Sequence, residues 1–370
     1  MKHIHLKDLS VGYDSQIVVD KINISFMQGK MTCILGPNGS GKTTVLKTIA
    51  NIISQISGVV EISGTQLDGF KSGELAREMS VVLTDRMDLP GMTGFDVAAM
   101  GRYPYTGFFG ILSKKDIQHV EGCLERCGAP SLKHKYFHQL SDGEKQKILI
   151  ARGLAQEPNI ILLDEPTSHL DIKHKLDVLT TLKSLSVKDG KTVICTLHEP
   201  ELAIKCCDYL VLVKDDRILA CGPTDDVVAE GKLDELYGFS GQLFDCKTGL
   251  IEFQSVQSKD VFVIGSDDDT AMLFRRFNRQ KIGFGAGVLH KNDVCYHIAR
   301  TMNAPTVAIE AYTTISNDSI DLAFQMAMEY THILASRTPN CDINLGNRLL
   351  ANRLISAGKA VSFSLTENAG

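Results

Sequence analysis

The stretch that decides the fold is GPNGSGKT at residues 36–43, which follows the apolar run Met31–Leu35 and precedes a helix-like run at residues 44–53. It matches the phosphate-loop pattern GxxxxGK[ST] in the strand-then-helix context that this pattern requires. Glycines let backbone N–H groups turn inward around phosphates, the helix start contributes its dipole, and the lysine adds positive charge. We therefore predict a nucleotide site; the alternative is a glycine turn between a strand and a helix.

Two adjacent carboxylates end a second apolar run. Asp164 and Glu165 follow Ile160–Leu163, a pattern typical of a buried strand that delivers acidic groups to a ligand crevice. Asp164 is predicted to meet a Mg²⁺ ion and Glu165 to polarise an attacking water. For an isolated Asp-Glu-Pro the simpler interpretation is a strand end before a helix, but the phosphate loop upstream favours the catalytic one.

Between these two motifs lies LSDGEKQ at residues 140–146. Ser141 followed three residues later by Glu144 predicts a capping box at a helix start. Flanked by both nucleotide motifs, the segment also resembles the LSGGQ signature of ATP-binding cassette (ABC) ATPases, with Asp142 and Glu144 at the third and fifth positions.

Further segments resemble the same family, in the order that the family shows. The run SHLD at residues 168–171 resembles the D-loop, His198 resembles the switch histidine, and Tyr13 resembles the aromatic residue that stacks on adenine. The alternatives are a solvated loop histidine and an edge-strand aromatic. Thr84 stands where the family has the Q-loop glutamine, a departure that puts metal coordination at that point in question.

The resemblance implies a full set of site residues, ATP and Mg²⁺ as cofactors, and ATP hydrolysis as the activity. The residues expected to take part in catalysis are Lys42, Glu165 and His198. The residues expected to bind the metal are Thr43, Asp164 and Thr84. The residues that contact ATP are expected to be Tyr13, Gly36, Asn38, Gly39, Ser40, Gly41, Lys42, Thr43, Thr44, Ser141, Gly143 and Asp171.

One segment points to a branch of the family. GRYPYTG at residues 101–107 resembles the ATPases of importers for iron siderophores, haem and cobalamin; the alternative is an amphipathic Pro/Tyr turn. Such subunits dock on membrane permeases, and here the docking surface is expected at about residues 85–105. A substrate-binding protein is expected as an indirect partner. Because the signature of one chain completes the ATP site of another, the resemblance also implies a symmetric homodimer.

Strand-like and helix-like runs alternate in two blocks, which predicts an α/β fold in two domains. Residues 1–244 form a P-loop cassette with a mostly parallel sheet and a helical lobe at about residues 85–155. Residues 245–258 form a linker with a short hairpin. Residues 259–370 form a small Rossmann-like domain of five strands and four crossovers.

The second domain carries no dinucleotide fingerprint. Its first strand is followed by Gly265 and then by Asp267–Asp269, which lack GxGxxG and would repel a pyrophosphate. We expect these aspartates to cap a helix, with a cation site as the alternative. A crevice formed by residues 265–270 and 283–287 is predicted to bind a small ligand, in a sensing or dimer-stabilising role.

Composition excludes several classes of protein. The 370 residues carry 39 Lys and Arg against 44 Asp and Glu, a net charge of −5 without a basic block, so no nucleic-acid partner is expected. Ten scattered cysteines without a CxxC pair indicate reduced thiols in a cytosol. The polar start and the lack of a long apolar run predict no export signal and no membrane span, hence a cytoplasmic protein peripheral to the membrane.

Two alternatives to an importer subunit stay open at this point. One is a soluble ABC ATPase of DNA repair or translation, although a second cassette, a long coiled coil and basic arms are missing from the sequence. The other is a ligand-sensing regulatory ATPase that works through residues 259–370.

Overall fold

The structure, a computed structural model, describes residues 2–83, 89–107, 110–238, 244–245, 250–336 and 344–363. The chain divides into two compact units, Met1–Tyr237 and Gly238–Gly370. This division falls a few residues before the boundary that the sequence suggests. Each unit is described by itself below.

The first unit contains ten strands and nine helices within the described residues. The strands are β1 (Lys2–Tyr13), β2 (Gln16–Met27), β3 (Met31–Leu35), β4 (Ser57–Ile62), β5 (Thr65–Gln66), β6 (Met79–Val82), β7 (Ile160–Leu163), β8 (Thr192–Thr196), β9 (Tyr209–Lys214) and β10 (Arg217–Pro223). The helices are α1 (Lys42–Ile49), α2 (Ser72–Glu78), α3 (Gly94–Ala99), α4 (Lys114–Arg126), α5 (Asp142–Ala155), α6 (Ile172–Asp189), α7 (Pro200–Cys206), α8 (Thr224–Ala229) and α9 (Lys232–Tyr237).

The central sheet has the strand order β10-β9-β3-β8-β7-β6. Its strands are parallel except for β10, which runs antiparallel to β9. Every residue of β3, β7 and β8 is buried, as expected for parallel strands covered on both faces. Because β3, β8 and β7 are neighbours, their carboxyl ends bring the phosphate loop, the segment before His198 and the two carboxylates to one edge.

A second sheet of the first unit was not predicted. It is antiparallel, with the order β2-β1-β4-β5. A two-residue turn joins β1 to β2, and both residues, Asp14 and Ser15, have positive φ, as in the primed turns that suit hairpins. The alternating buried residues Ile22, Ile24 and Phe26 were the signal in the sequence that this strand is buried on one face.

A buried arginine ties the helical lobe together. The guanidinium of Arg102 donates to Asp116 Oδ1 at 2.9 Å and to Glu157 Oε1 at 2.7 Å, and it lies 4.0 Å from the ring centroid of Tyr105. Arg102 is 7% exposed, and its contact with the buried side of Asp116 is largely shielded from water, whereas Glu157 is half-exposed. The residue after Arg102 in the chain, Tyr103, is 76% exposed. Most of this Pro/Tyr segment therefore stabilises the lobe, while one aromatic side chain projects to the surface.

The second unit contains seven strands and four helices within the described residues. The strands are β11 (Phe244–Asp245), β12 (Leu250–Ile251), β13 (Val261–Ile264), β14 (Phe284–His290), β15 (Thr306–Ile309), β16 (His332–Ala335) and β17 (Val361–Phe363). The helices are α10 (Asp268–Arg279), α11 (Val294–Thr301), α12 (Asn317–Met328) and α13 (Leu345–Ser356). β11 and β12 pair antiparallel, so the short hairpin is confirmed.

The five remaining strands form a parallel sheet in the order β15-β14-β13-β16-β17, with helices on both faces. Phe262 and Ile264 pack in one core cluster with residues of α12 and α13, whereas Val263 packs on the other face with residues of α10 and α11. The predicted Rossmann-like sheet of five strands and four crossovers is confirmed.

The predicted crevice of this sheet is only half right. Val261 pairs with Phe284, which places Gly283 at the amino edge of the sheet, whereas Gly265 follows the carboxyl end of β13. Residues 265–270 and the beginning of 283–287 therefore lie at opposite edges. The prediction for the aspartates is confirmed: Asp267 is the N-cap of α10 and accepts from the Thr270 N–H at 2.8 Å. No helix among the described residues is long and apolar enough to cross a bilayer.

Candidate nucleotide site

A cavity of about 590 Å³ opens at the carboxyl edge of the first unit's central sheet. It gathers residues that the sequence had singled out separately. Its lining consists of Tyr13, Val18, Asn38, Gly39, Gly41, Lys42, Thr43, Thr44, Glu165 and His198. Gly36 and Ser40 belong to the same loop without lining the cavity.

The glycines of the phosphate loop are required by space and by backbone conformation. A Cβ on Gly36 would lie 2.4 Å from the Val213 carbonyl oxygen, and one on Gly41 would lie 2.5 Å from Val19 Cγ2. Gly41 also has φ +96°, in the region that favours glycine. The loop can therefore approach a ligand with its backbone, as the sequence motif predicts.

Lys42 lies across this loop. Its ammonium donates to the carbonyl oxygens of Gly36 and Pro37, both at 2.9 Å, and the residue is 5% exposed. Burial lowers the pKa of Lys42, while Glu165 and Asp164 oppose that shift. A desolvated ammonium of this kind gains most from an anionic ligand, because the low local dielectric strengthens the charge contact.

Ser40 supplies a test of whether a phosphate fits. Its Oγ is buried and has no hydrogen-bond partner within the described ranges of the chain. A buried hydroxyl without a partner is costly, and a phosphate oxygen within the loop would satisfy it. The loop therefore fits a nucleotide phosphate on an observation independent of the motif.

Asp164 is held by two hydroxyls. Thr43 Oγ1 lies 3.0 Å from both carboxylate oxygens, and Thr196 Oγ1 donates to Oδ1 at 2.8 Å. Asp164 is 7% exposed. A carboxylate beside a hydroxyl at the end of a phosphate loop offers the hard oxygen ligands that Mg²⁺ prefers, so the donor set fits that cation.

Glu165 adopts an unusual backbone conformation. Its φ is +45°, which is strained for a residue with a Cβ. The backbone N–H donates to Thr196 Oγ1 at 2.8 Å, and the carboxylate contacts His198 Nε2 at 2.5 Å and accepts from Ser168 Oγ at 2.9 Å. The structure thus directs Glu165 into the cavity and joins it to His198.

Thr196 belongs to none of the sequence motifs but takes part in the site. Its hydroxyl bridges Asp164 and the backbone of Glu165, so it fixes both carboxylate residues relative to β8. A threonine at the end of an apolar strand is common, and only the pairing of β7 with β8 reveals the contact.

Three predicted ATP contacts belong neither to the phosphate loop nor to the lining of the cavity. Ser141 caps α5 in a reciprocal capping box, with Ser141 N–H to Glu144 Oε2 at 3.0 Å, and Asp171 caps α6. A Cβ on Gly143 would lie 2.7 Å from the His174 ring, so this glycine allows the two helix starts to approach. Thr84 lies outside the described residues.

Comparison with known proteins identifies the family. Residues 19–168 match the ABC transporter family, and residues 284–369 match the MJ0874 family. Over 260 residues the chain is 41% identical to the ABC transporter ATP-binding protein MJ0873 of Methanocaldococcus jannaschii, covering 70% of this chain and 90% of that protein. The chain belongs to the ABC transporter ATP-binding proteins. The resemblance inferred from the motifs is confirmed.

Two further relatives of this ABC protein have names that state a substrate. The petrobactin import ATP-binding protein YclP of Bacillus subtilis is 32% identical, over 63% of this chain and 92% of its own length. The cobalamin import ATP-binding protein BtuD of Halobacterium salinarum is 26% identical, over 86% of this chain and 81% of its own length.

Among solved structures, the dimeric bacterial ABC transporter cassette MJ0796 matches with a TM-score of 0.53 and 27% identity, over 60% of this chain and 98% of that one. This match agrees with the P-loop cassette fold described above. The ABC protein described here is therefore an ATPase.

Proposed function

We propose that this chain is the ATP-hydrolysing subunit of an ABC importer for an iron siderophore, haem or cobalamin. The observation that carries the proposal is that Lys42, Glu165 and His198 line one cavity at the end of the parallel sheet. Asp164 adjoins this cavity through its hydrogen bond with Thr43. The substrate class is supported by the petrobactin and cobalamin importers among the relatives. The alternatives, a soluble or purely regulatory ATPase, have no comparable support.

Each residue of the cavity has a proposed role. Lys42 and the loop N–H groups bind the β- and γ-phosphates of ATP, and Tyr13 stacks on the adenine. Thr43 and Asp164 hold Mg²⁺, which neutralises charge on the phosphates when it is bound. Glu165 orients and deprotonates the attacking water, and His198 contacts the γ-phosphate.

The site is proposed to be completed by a second copy of the chain. Ser141 and Gly143 of the signature, together with Asp171, lie outside the chain's own cavity, although the family motif assigns them to ATP. In a head-to-tail homodimer each signature faces the phosphate loop of the other copy. The dimeric state of the related cassette MJ0796 supports this arrangement.

The partner of the dimer is proposed to be a membrane permease, with a substrate-binding protein acting on the far side. The exposed aromatic ring of Tyr103 at the surface of the helical lobe supports docking there, because aromatic side chains are enriched in interfaces. The chain would then work at the inner face of the cell membrane. Thr84, at the Q-loop position, is proposed to take part in metal coordination.

Replacement of the general base tests the catalytic proposal. In Glu165→Gln the amide keeps the shape of the side chain but cannot accept the water proton, so turnover should fall about 100-fold or more while ATP affinity changes little. The variant should also accumulate as an ATP-bound dimer, measured by size-exclusion chromatography with ATP. Glu61→Gln, at a surface ion pair with Lys7, is the control.

A normal hydrolysis rate in Glu165→Gln would overturn the assignment. His198→Ala gives an independent check, since loss of the imidazole should lower kcat by about 100-fold and raise KM only slightly. If KM rises while kcat stays unchanged, His198 contributes to binding rather than to the transition state.

A further inference from the structure

The second unit has a topological switch point. Its parallel strands run β15-β14-β13-β16-β17, so the chain moves outward in one direction from β13 and in the other from β16. In open α/β sheets, ligands bind outside the carboxyl ends of the two strands at which the order reverses. In this unit those ends are Ile264 and Ala335, and they are paired in the sheet.

A cavity lies at this position. It measures about 250 Å³ and is lined by Ile264 and Ala335 at the strand ends, by Ser336, and by residues of α13 that include Asn347, Arg348 and Asn352. Sites for drug-sized ligands span about 300–1,000 Å³, so a cavity of this size suits a smaller molecule.

Two of the lining residues carry buried polar atoms without a partner in the described part of the chain. Ser336 is 4% exposed, and its Oγ has no hydrogen bond to a described residue. Asn347 is fully buried; its Nδ2 donates to the Val288 carbonyl at 2.9 Å, but its Oδ1 has no partner among the same residues. Folded proteins satisfy most such groups, and those that stay unsatisfied often belong to a binding site.

Beside the cavity, the residues that follow the two strand ends are in close contact. A Cβ on Gly265 would lie 1.9 Å from Ser336 Oγ and 2.8 Å from Thr270 Oγ1. Only glycine leaves room for the serine hydroxyl at this point. The sequence thus keeps a polar group at the switch point and removes the side chain that would cover it.

The charge on the α13 side favours an anion. The guanidinium of Arg348 belongs to the lining. The cavity also lies at the first turn of α13, a helix of 12 residues, and the N–H groups of a first turn have no intrahelical partner. The aspartates at residues 267–269 are on the other helix, α10, where Asp267 is engaged as its cap. They do not line the cavity.

We propose that the second unit binds a small anionic molecule, through a phosphate or a carboxylate group, in the crevice between β13, β16 and the first turn of α13. The anion contacts the Arg348 guanidinium and the Ser336 hydroxyl, and Asn352 lies beside it. This site is separate from the nucleotide site, and it gives the second unit a ligand-binding role beyond ATP hydrolysis.

Calorimetric titration of the full-length chain tests the proposal. A non-hydrolysable ATP analogue is kept at saturation so that the phosphate loop is occupied, and inorganic phosphate and succinate are titrated in separate arms that distinguish the two anion chemistries. At least one should bind with a Kd of about 1 mM or lower. Arg348→Gln should weaken that binding about tenfold or more, because charged hydrogen bonds are the stronger ones.

The same helix provides the matched control. Arg353→Gln removes an arginine of α13 that pairs with Asp321 outside the cavity, and it should bind the anion like the wild type. If Arg348→Gln unfolds the second unit, Ser336→Ala and Asn352→Ala replace it, each with a loss of about threefold to tenfold expected from one hydrogen bond. The proposal would be overturned if neither anion binds, or if the two arginine variants have equal effects. Binding of the ATP analogue is measured separately in the same samples, so a failure of the nucleotide site can be told apart from a failure of the anion site.

Discussion

The two units of this chain each have a crevice at the carboxyl edge of a parallel sheet, but they differ in the residues that follow the first strand of that sheet. In the first unit, β3 is followed by a glycine-rich loop and Lys42 at the start of α1. In the second unit, β13 is followed by Gly265 and by three acidic residues at the start of α10. The second unit has its cation, Arg348, on α13 instead.

This difference teaches that the sheet fixes where a ligand can bind, whereas the residues after each strand decide which ligand binds. Parallel strands leave their carboxyl ends and the following helix starts at one edge in both units. A helix start favours an anion only when its first turn does not already carry carboxylates. The proposed anion-binding end is therefore at the first crossover in one unit and at the β16–α13 crossover in the other.

The largest expected effect comes from removing the cation of the first crevice. Lys42→Ala should weaken ATP binding by about 100-fold, which corresponds to about 2.7 kcal/mol, because a desolvated charge contact to phosphate is lost. Fluorescent-nucleotide titration measures the change. Lys47→Ala, in the last turn of the same helix, should keep normal affinity. An unchanged affinity in Lys42→Ala would mean that the loop alone binds the phosphates.

A smaller effect is expected from adding a methyl group at Gly265, which contacts Ser336 of the second crevice. Gly265→Ala should lower the free energy of unfolding of the second unit by about 2 kcal/mol, because the added Cβ overlaps the Ser336 hydroxyl. Hydrogen exchange of β13 and β16 measures this loss. ATP affinity should stay constant.

Gly287→Ala is the matched control for that variant. It adds a methyl group on the neighbouring strand, where the nearest atom is 3.2 Å away, and should be less destabilising. Equal destabilisation by both variants would show that the contact between Gly265 and Ser336 is not specially tight. A change in ATP affinity would show that the crevices are coupled.

The smallest effect is expected from deleting the second unit. A chain that ends after residue 239 should retain ATP affinity within about threefold, because every residue that lines the nucleotide cavity belongs to the first unit and domains of this size fold alone. Equilibrium binding on the purified, folded truncation checks this. A folded truncation that no longer binds ATP would contradict the separation of the two units.

The chemistry of the first crevice was largely predictable because it depends on short sequence motifs. The phosphate loop, the pair Asp164 and Glu165, and the capping serine of α5 each depend on neighbours within a few residues. The five-strand alternation of the second unit was predictable for the same reason, since runs of apolar residues mark strands wherever they pair.

Tertiary structure decided what those patterns could not. The antiparallel sheet of β1, β2, β4 and β5 depends on pairing between residues such as Leu6 and Val60, which are far apart in the chain. The hydroxyl of Thr196 donates a hydrogen bond to Asp164 only because β7 and β8 lie side by side.

The order of the strands in the sheet could not be predicted from the sequence. Sequence by itself determined which segments are strands, and which residues at their ends carry charge or glycine. It could not say that β13 pairs with β16, because a run of apolar residues is compatible with any neighbour whose length and burial are similar. That pairing brings Gly265 against Ser336 and forms the second crevice, so its location is a property of the folded sheet.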